Sequence, residues 1–180
     1  MNNKTTHLTC ACGTFHLEVR GAPIISAECH CKSCSDAAGR LESLPLPEAI
    51  RTIHGGTRYV LYRKDRISLL AGTENLQEFR LGPNASTRRV LASCCNTPIF
   101  LEFKGGHWLS LYGNLWKQDE LPPLQLRTMT QNAPDRATSV PDDVPSGALA
   151  TAGFYGRLLT AWIAMGFTVP DITVKGAIDA

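Results

Sequence analysis

The seven cysteines fall in three knots: Cys10 and Cys12, then Cys29, Cys31 and Cys34, then Cys94 and Cys95. Cysteines used as small core residues would be scattered along strands and helices. An odd number of them also argues against a closed disulfide framework. Close groups of thiols point instead to a metal. Around tetrahedral zinc, with Zn to S near ~2.3 Å, ligand sulfurs sit about 3.8 Å apart, so paired ligands must converge. Residues i and i+2 of a straight strand are about 6 to 7 Å apart, so Cys10 and Cys12 can chelate only where the chain turns. Cys31-Lys32-Ser33-Cys34 has the easier C-x-x-C spacing, and Cys29 adds a third thiol.

Adjacent cysteines on an extended strand face opposite ways, which leaves one of Cys94 and Cys95 pointing straight at a metal unless the chain bends. The first and third knots each lack partners, so the expectation is a structural zinc on Cys10, Cys12 and Cys95, with Cys94 completing the set. Such a closed site contributes on the order of 10 kcal/mol to folding. Cys29, Cys31 and Cys34 have no evident fourth partner. That is the arithmetic of an open, catalytic-type zinc, and two zincs per chain are expected. Three thiolates make the metal a weak Lewis acid toward water and suit it to an exogenous thiolate, so thiol chemistry is favoured over hydrolysis. In the competing reading His30, His54 or a carboxylate closes the site and makes it a second staple.

The elements that must hold these knots are short. Thr14 to Arg20 alternates apolar Phe15, Leu17 and Val19 with polar residues, the period of a half-buried strand. With a strand ending at Cys10 and a turn at Cys12-Gly13-Thr14, the first knot lies at a hairpin end. Pro23 to Glu28 reads as a strand running into the second knot, followed by a helical turn or two over Ser33 to Ala38 that Gly39 would end. Leu44 to Gly56 is loop. Short runs at Tyr59 to Tyr62, Ile67 to Leu70, Leu76 to Leu81, Arg88 to Ala92, Pro98 to Phe103 and Trp108 to Tyr112 describe an antiparallel β domain ending near Trp116. The expected organisation is a zinc-binding β domain over residues 1–127, a linker over 128–147 and a C-terminal helical extension over 148–180. The apolar stretch Ala148 to Phe167 approaches membrane-span length, but Arg157 and three glycines weaken that reading. A helix docked on the sheet or on a second copy of the chain is favoured.

The chain has 180 residues, 43% hydrophobic and 19% charged, enough for one domain with a core. Eighteen Lys and Arg against sixteen Asp and Glu leave +2, too even for a dedicated nucleic-acid binder. The first residues lack the apolar core of a secretory signal, which gives a cytoplasmic expectation with reduced thiols.

Taken together, Cys10-Ala-Cys12-Gly13, Cys29-His-Cys31-Lys-Ser-Cys34 with the following Ala-Gly39, and Cys95-Asn-Thr97-Pro98 resemble the glutathione-dependent formaldehyde-activating enzyme family, which also includes centromere protein V. The resemblance covers roughly Leu8 to Leu115. It implies a β-tent of folded antiparallel sheets, a structural zinc to which Cys10, Cys12 and Cys95 correspond, and a catalytic zinc to which Cys29, Cys31 and Cys34 correspond. It also implies a glutathione site and reversible addition of glutathione to formaldehyde, formally a carbon-sulfur lyase reaction. The third knot departs from the family's C-x-x-C-G: Ala92 replaces the first cysteine, Asn96 replaces the glycine, and Cys94 is extra. Cys94 is then the expected fourth structural ligand.

Other residues read more plainly. His30, between two ligands, should point away from the metal, and Asp36 should be helix surface. His54, in His54-Gly55-Gly56, lies where backbone can approach a ligand. Arg88 and Arg89 could pair with substrate carboxylates, although neighbours on a strand face opposite sides and one should be plain surface. Trp108, Tyr112 and Trp116 read as core. The favoured function is a zinc-dependent carbon-sulfur lyase acting on an adduct of glutathione or another small thiol. The alternatives are a zinc-stabilised protein-binding module without catalysis, which a four-ligand second zinc would favour, and a redox or metal sensor.

Overall fold

A computed structural model describes residues 4–132 and 140–180. Residues 133–139 of the expected linker lie outside the described residues. The protein is mainly β, with two helices. Strands β1 (Thr5–Thr9), β2 (His16–Arg20) and β5 (Ile67–Ala71) form a small antiparallel sheet in the order β1-β2-β5. The large sheet contains β3 (Ile25–Cys29), β4 (Thr57–Arg63), β6 (Leu76–Phe79), β7 (Thr87–Ala92), β8 (Thr97–Phe103), β9 (Trp108–Tyr112), β10 (Leu126–Thr128) and β11 (Gly176–Ala177). Its order is β10-β3-β4-β9-β8-β7-β6-β11. Both sheets are open. All pairings are antiparallel except the two edge pairs, β10 with β3 and β11 with β6.

The large sheet is covered on both faces, and strand alternation divides its residues between them. Val60, Leu111, Val90 and Phe100 pack against Leu8, Phe15, Leu17 and Val19 of the small sheet. Their neighbours Tyr59, Leu61, Tyr112, Leu91 and Leu101 pack on the other face against helix α1 (Lys32–Leu41). This explains why Pro98 to Leu101 reads as an unbroken apolar run: that part of the strand has no solvent face. From α1, Cys34, Ala37, Ala38 and Leu41 are buried. Leu41 is fully enclosed, worth about 2 kcal/mol against an exposed leucine.

Several expectations need correction. Gly39 does not end α1; the helix continues to Leu41, and the glycine accommodates Arg51, whose Nη2 would lie 3.0 Å from an added Cβ. The sheet does not stop near Trp116, because β10 and β11 extend both its edges. These strands have three and two residues, too short to show a period in sequence. The C-terminal helix α2 spans Gly147–Ile163, shorter than the apolar stretch, and Gly166 and Phe167 with positive φ turn the chain beyond it. Leu158 of α2 enters the core face that α1 covers. Among the described residues no helix is long and apolar enough to cross a membrane. Tyr112 and Trp116 are buried, and Trp108 packs against the core.

Candidate metal centres and adjoining cleft

The end of β1 carries the first centre. The chain reverses through a Gly13 N–H bond to the Cys10 carbonyl and a Cys10 N–H bond to the Phe15 carbonyl, with Gly13 at φ +74°. That φ is disfavoured for side chains bearing a Cβ. The turn draws the Sγ atoms of Cys10 and Cys12 to 3.5 Å, where a straight strand would hold them apart. The β7–β8 turn supplies the other half. Cys94 and Cys95 do not lie on an extended strand, so the expected opposition of their side chains does not occur. A Cys95 N–H bond to the Ala92 carbonyl bends the chain, and Asn96 takes φ +56°, a left-handed conformation that asparagine tolerates better than most residues.

Both thiols consequently face the hairpin end. Cys94 Sγ is 3.8 Å from Cys10 Sγ, 3.3 Å from Cys12 Sγ and 3.9 Å from Cys95 Sγ. All four sulfurs lie within 4.8 Å of one another. Against about 3.8 Å between the ligands of tetrahedral zinc, this set fits a closed four-thiolate metal site. The Ala11 N–H donates to Thr97 Oγ1 at 3.0 Å, fastening the two turns together. Hydrogen bonds from Thr14, then from Cys94 and Cys10, lower the Cys12 thiol to about 6, while burial and the neighbouring thiols push Cys94 up.

The second centre is built where β3 passes into α1. Cys29 ends β3, Cys31 is the N-cap of α1, and Cys34 lies in its first turn. The Cys34 N–H points at Cys31 Sγ, 3.4 Å away. Helix N-termini favour anionic sulfur because their free N–H groups and dipole face it. The three sulfurs lie within 4.8 Å of one another, and no histidine or carboxylate joins the set among the described residues. Three soft donors and no fourth protein ligand fit an open zinc site. The thiols share their charge unequally. Hydrogen bonds from Cys29 and Cys34 hold Cys31 far below the usual thiol range, whereas hydrogen bonding to its neighbours and burial raise Cys29 and Cys34. The Tyr59 hydroxyl is 3.8 Å from Cys34 Sγ, and its ring packs on Tyr112 with centroids 5.0 Å apart.

His30 is not in the cluster. Its buried ring faces Glu28, with Nε2 to Oε1 at 3.0 Å. Thr52 donates to the same carboxylate oxygen, and Arg127 Nε lies 3.5 Å from the other. Burial pushes the Glu28 carboxyl up, but the facing His30 ring, the Thr52 hydrogen bond and the charge of Arg127 outweigh it and leave it lowered. An added Cβ at Gly56 would come within 2.5 Å of Glu28 Oε1 and 2.7 Å of His30 Nε2, so this glycine admits the pair. Asp36 bonds Lys32 on the helix surface, as expected. His54 lies in the loop before β4, and its charge acts on Asp143.

Neither arginine of the Arg88-Arg89 pair is plain surface. Arg88 binds Glu78 and Glu102, and Arg89 is 1% exposed, bonded to Ser33. Both sheet faces are covered, which removes the solvent side the alternation argument assumed.

A cleft of about 460 Å³ adjoins this region, lined by Glu28, Arg51, Arg58, Tyr112, Asn114 and Gln118 among others. That size is within the range of small-molecule sites. The cysteines do not line it; Glu28 beside Cys29 and Tyr112 beside Tyr59 connect the two. Arg58 Nη2 donates to the Pro122 carbonyl at 2.7 Å, while its Nη1 has no hydrogen-bond partner. Glu28, Arg58 and Arg127 were missed in the sequence. The available signal was a charged residue, Glu28, within an otherwise buried strand.

A model of the family described as glutathione-dependent formaldehyde-activating enzyme matches residues 5–125. A crystal structure of a Rhodobacter sphaeroides protein, a Northeast Structural Genomics target, is similar with a TM-score of 0.46 and 14% identity, over 66% of this chain and 97% of that one. No curated protein matches the chain at a significant level.

Proposed function

We propose, because this chain belongs to the glutathione-dependent formaldehyde-activating enzyme family, that it is a zinc-dependent carbon-sulfur lyase acting on the adduct of a small thiol, such as glutathione, with an aldehyde of the formaldehyde type. The observation that carries this reading is the convergence of Cys29, Cys31 and Cys34 without a fourth protein ligand among the described residues. Cys10, Cys12, Cys94 and Cys95 would hold a structural zinc, and Cys29, Cys31 and Cys34 a second. Zinc bound at the second site supplies positive charge that stabilises a substrate thiol as its thiolate.

In the synthetic direction the sulfur forms a bond to the carbonyl carbon, the C=O π pair moves to oxygen, and the thiol proton ends on that oxygen as the hydroxymethyl adduct. Nothing is oxidised or reduced. The chain's own groups bind and orient. Tyr59, its phenol pushed well up first by burial and then by Tyr112 and Cys34, stays a hydrogen-bond donor toward Cys34 at neutral pH. Arg58 lines the cleft with a buried, unpartnered Nη1, and its positive charge is complementary to the carboxylates of an anionic thiol. Reduced thiols at both centres suit a reducing, cytoplasmic setting.

The test combines metal content with turnover. Protein purified without chelator should contain two zincs per chain and accelerate exchange between glutathione plus formaldehyde and S-hydroxymethylglutathione, followed by NMR. Two zincs with no acceleration for any of a panel of small thiols would reject the lyase and favour a binding module.

A further inference from the structure

Arg89, on β7, has a guanidinium buried in the sheet face that α1 covers, with 1% of the residue exposed. Its Nη2 donates to the carbonyl and the hydroxyl of Ser33, both at 2.9 Å, and its Nη1 to Thr87 Oγ1 at 3.2 Å. Its Nε has no partner, and it forms no ion pair with a carboxylate among the described residues. Two other deeply buried cations are matched: Lys64, in the turn after β4, lies on Glu102, and Arg127 of β10 on Glu28 and Asp143. A buried guanidinium facing only neutral oxygens is unfavourable, because loss of hydration is not repaid by an opposite charge.

The anionic groups nearest in function are the thiols. Ser33 lies inside Cys31-Lys32-Ser33-Cys34, and the Arg89 charge acts on Cys31, Tyr59 and Tyr112. Zinc deprotonates its cysteine ligands. Three thiolates around a dication leave one net negative charge, and a bound substrate thiolate raises it to two. We propose that Arg89 is the counter-charge of the three-cysteine zinc site, and that through its two bonds to Ser33 it also sets the path of the chain between Cys31 and Cys34. Arg89 is a positioning residue that touches neither metal nor substrate. The inference rests on the reading that Cys29, Cys31 and Cys34 hold zinc.

The experiment compares wild type, Arg89→Met and Arg89→Lys. Zinc per chain is measured by elemental analysis after equilibration with a graded series of EDTA, and the cobalt-substituted proteins are scanned for thiolate-to-metal charge-transfer absorption. A chain with Cys29, Cys31 and Cys34 all changed to Ser identifies the zinc of the four-cysteine site. Arg89→Met should lose the second zinc at EDTA concentrations about tenfold or more below those wild type withstands, within the range outer partners of metal ligands contribute. It should keep the first zinc. Arg89→Lys, which retains the charge, should recover most of the resistance and of the cobalt band. A folded Arg89→Met with the wild-type EDTA profile overturns the proposal. If Arg89→Met does not fold, Arg89→Lys decides: resistance close to wild type supports the counter-charge, and a loss of tenfold or more overturns it. A wild-type chain that binds one zinc, at the four-cysteine site, would instead remove the underlying reading and the proposal with it.

Discussion

The Sγ atoms of Cys12 and Cys94 lie 3.3 Å apart although 82 residues separate them in the chain. This closure joins the β1–β2 hairpin of the small sheet to the β7–β8 turn of the large one, which is where a metal staple has most effect on the unfolded chain. Cys94→Ala should reduce zinc from two to one per chain and lower the unfolding temperature steeply, since structural zinc contributes on the order of 10 kcal/mol. Elemental analysis with thermal unfolding checks this. Two zincs in Cys94→Ala would show that Cys94 is not a ligand.

Cys31→Ser removes the thiol at the N-cap of α1 that its neighbours make most acidic. Serine preserves the cap, because its hydroxyl also accepts from the first turn. Secondary structure and the first zinc should persist while the second zinc and thiol-adduct turnover are lost. Retention of both full zinc content and turnover would sink the proposed mechanism.

Arg58→Met takes from the cleft the cation whose Nη1 is unpartnered. If it recognises the carboxylates of the thiol substrate, KM for glutathione should rise about tenfold with kcat little changed, as expected for an interaction equal in ground and transition states. A neutral thiol such as 2-mercaptoethanol serves as the control and should be turned over equally by both proteins. Equal KM for glutathione in variant and wild type would remove Arg58 from the binding site.

Gly56→Ala should disturb the Glu28–His30 pair, since the new methyl would overlap Glu28 Oε1 and His30 Nε2. A loss of about 1 to 3 kcal/mol is expected, the usual range for forced overlap in a packed interior. Chemical denaturation measures it, and unchanged stability would mean the loop before β4 shifts freely.

His107 ties α2 to the sheet: its Nε2 donates to the Leu158 carbonyl at 2.9 Å and its ring stacks on Trp162, centroids 5.6 Å apart. Burial holds its pKa below the ordinary 6.5; the Leu158 carbonyl raises it, and the charges of Lys64 and Arg63 lower it further. The folded chain thus binds fewer protons here than the unfolded one. Its contribution is complete above about 6.5 and is lost as pH falls through the lower folded value. Amide exchange across α2 should accelerate between neutral pH and pH 5 beyond the intrinsic effect of pH, and His107→Phe should flatten that dependence. Identical pH profiles for the two proteins would exclude His107 as the cause.

The three cysteine knots, the hairpin around Gly13 and most strands were legible from residue types and spacing, because chelate geometry and strand alternation are local constraints. The pairing of the first knot with the third was also legible, since neither is complete alone. Whether both Cys94 and Cys95 could turn inward was not, because the bend at Asn96 depends on how β7 and β8 meet. Burial of Arg89 was decided by α1 covering the second face of the sheet, a fact no local window contains. The Glu28 site likewise gathers Thr52 from a loop, Arg127 from β10 and His30 from beyond β3. The sequence by itself determined which residues could ligate metal and how the nearby chain must turn to let them. Only the tertiary structure decided which charges meet in the interior, because long-range pairing brings them together and burial makes their matching compulsory.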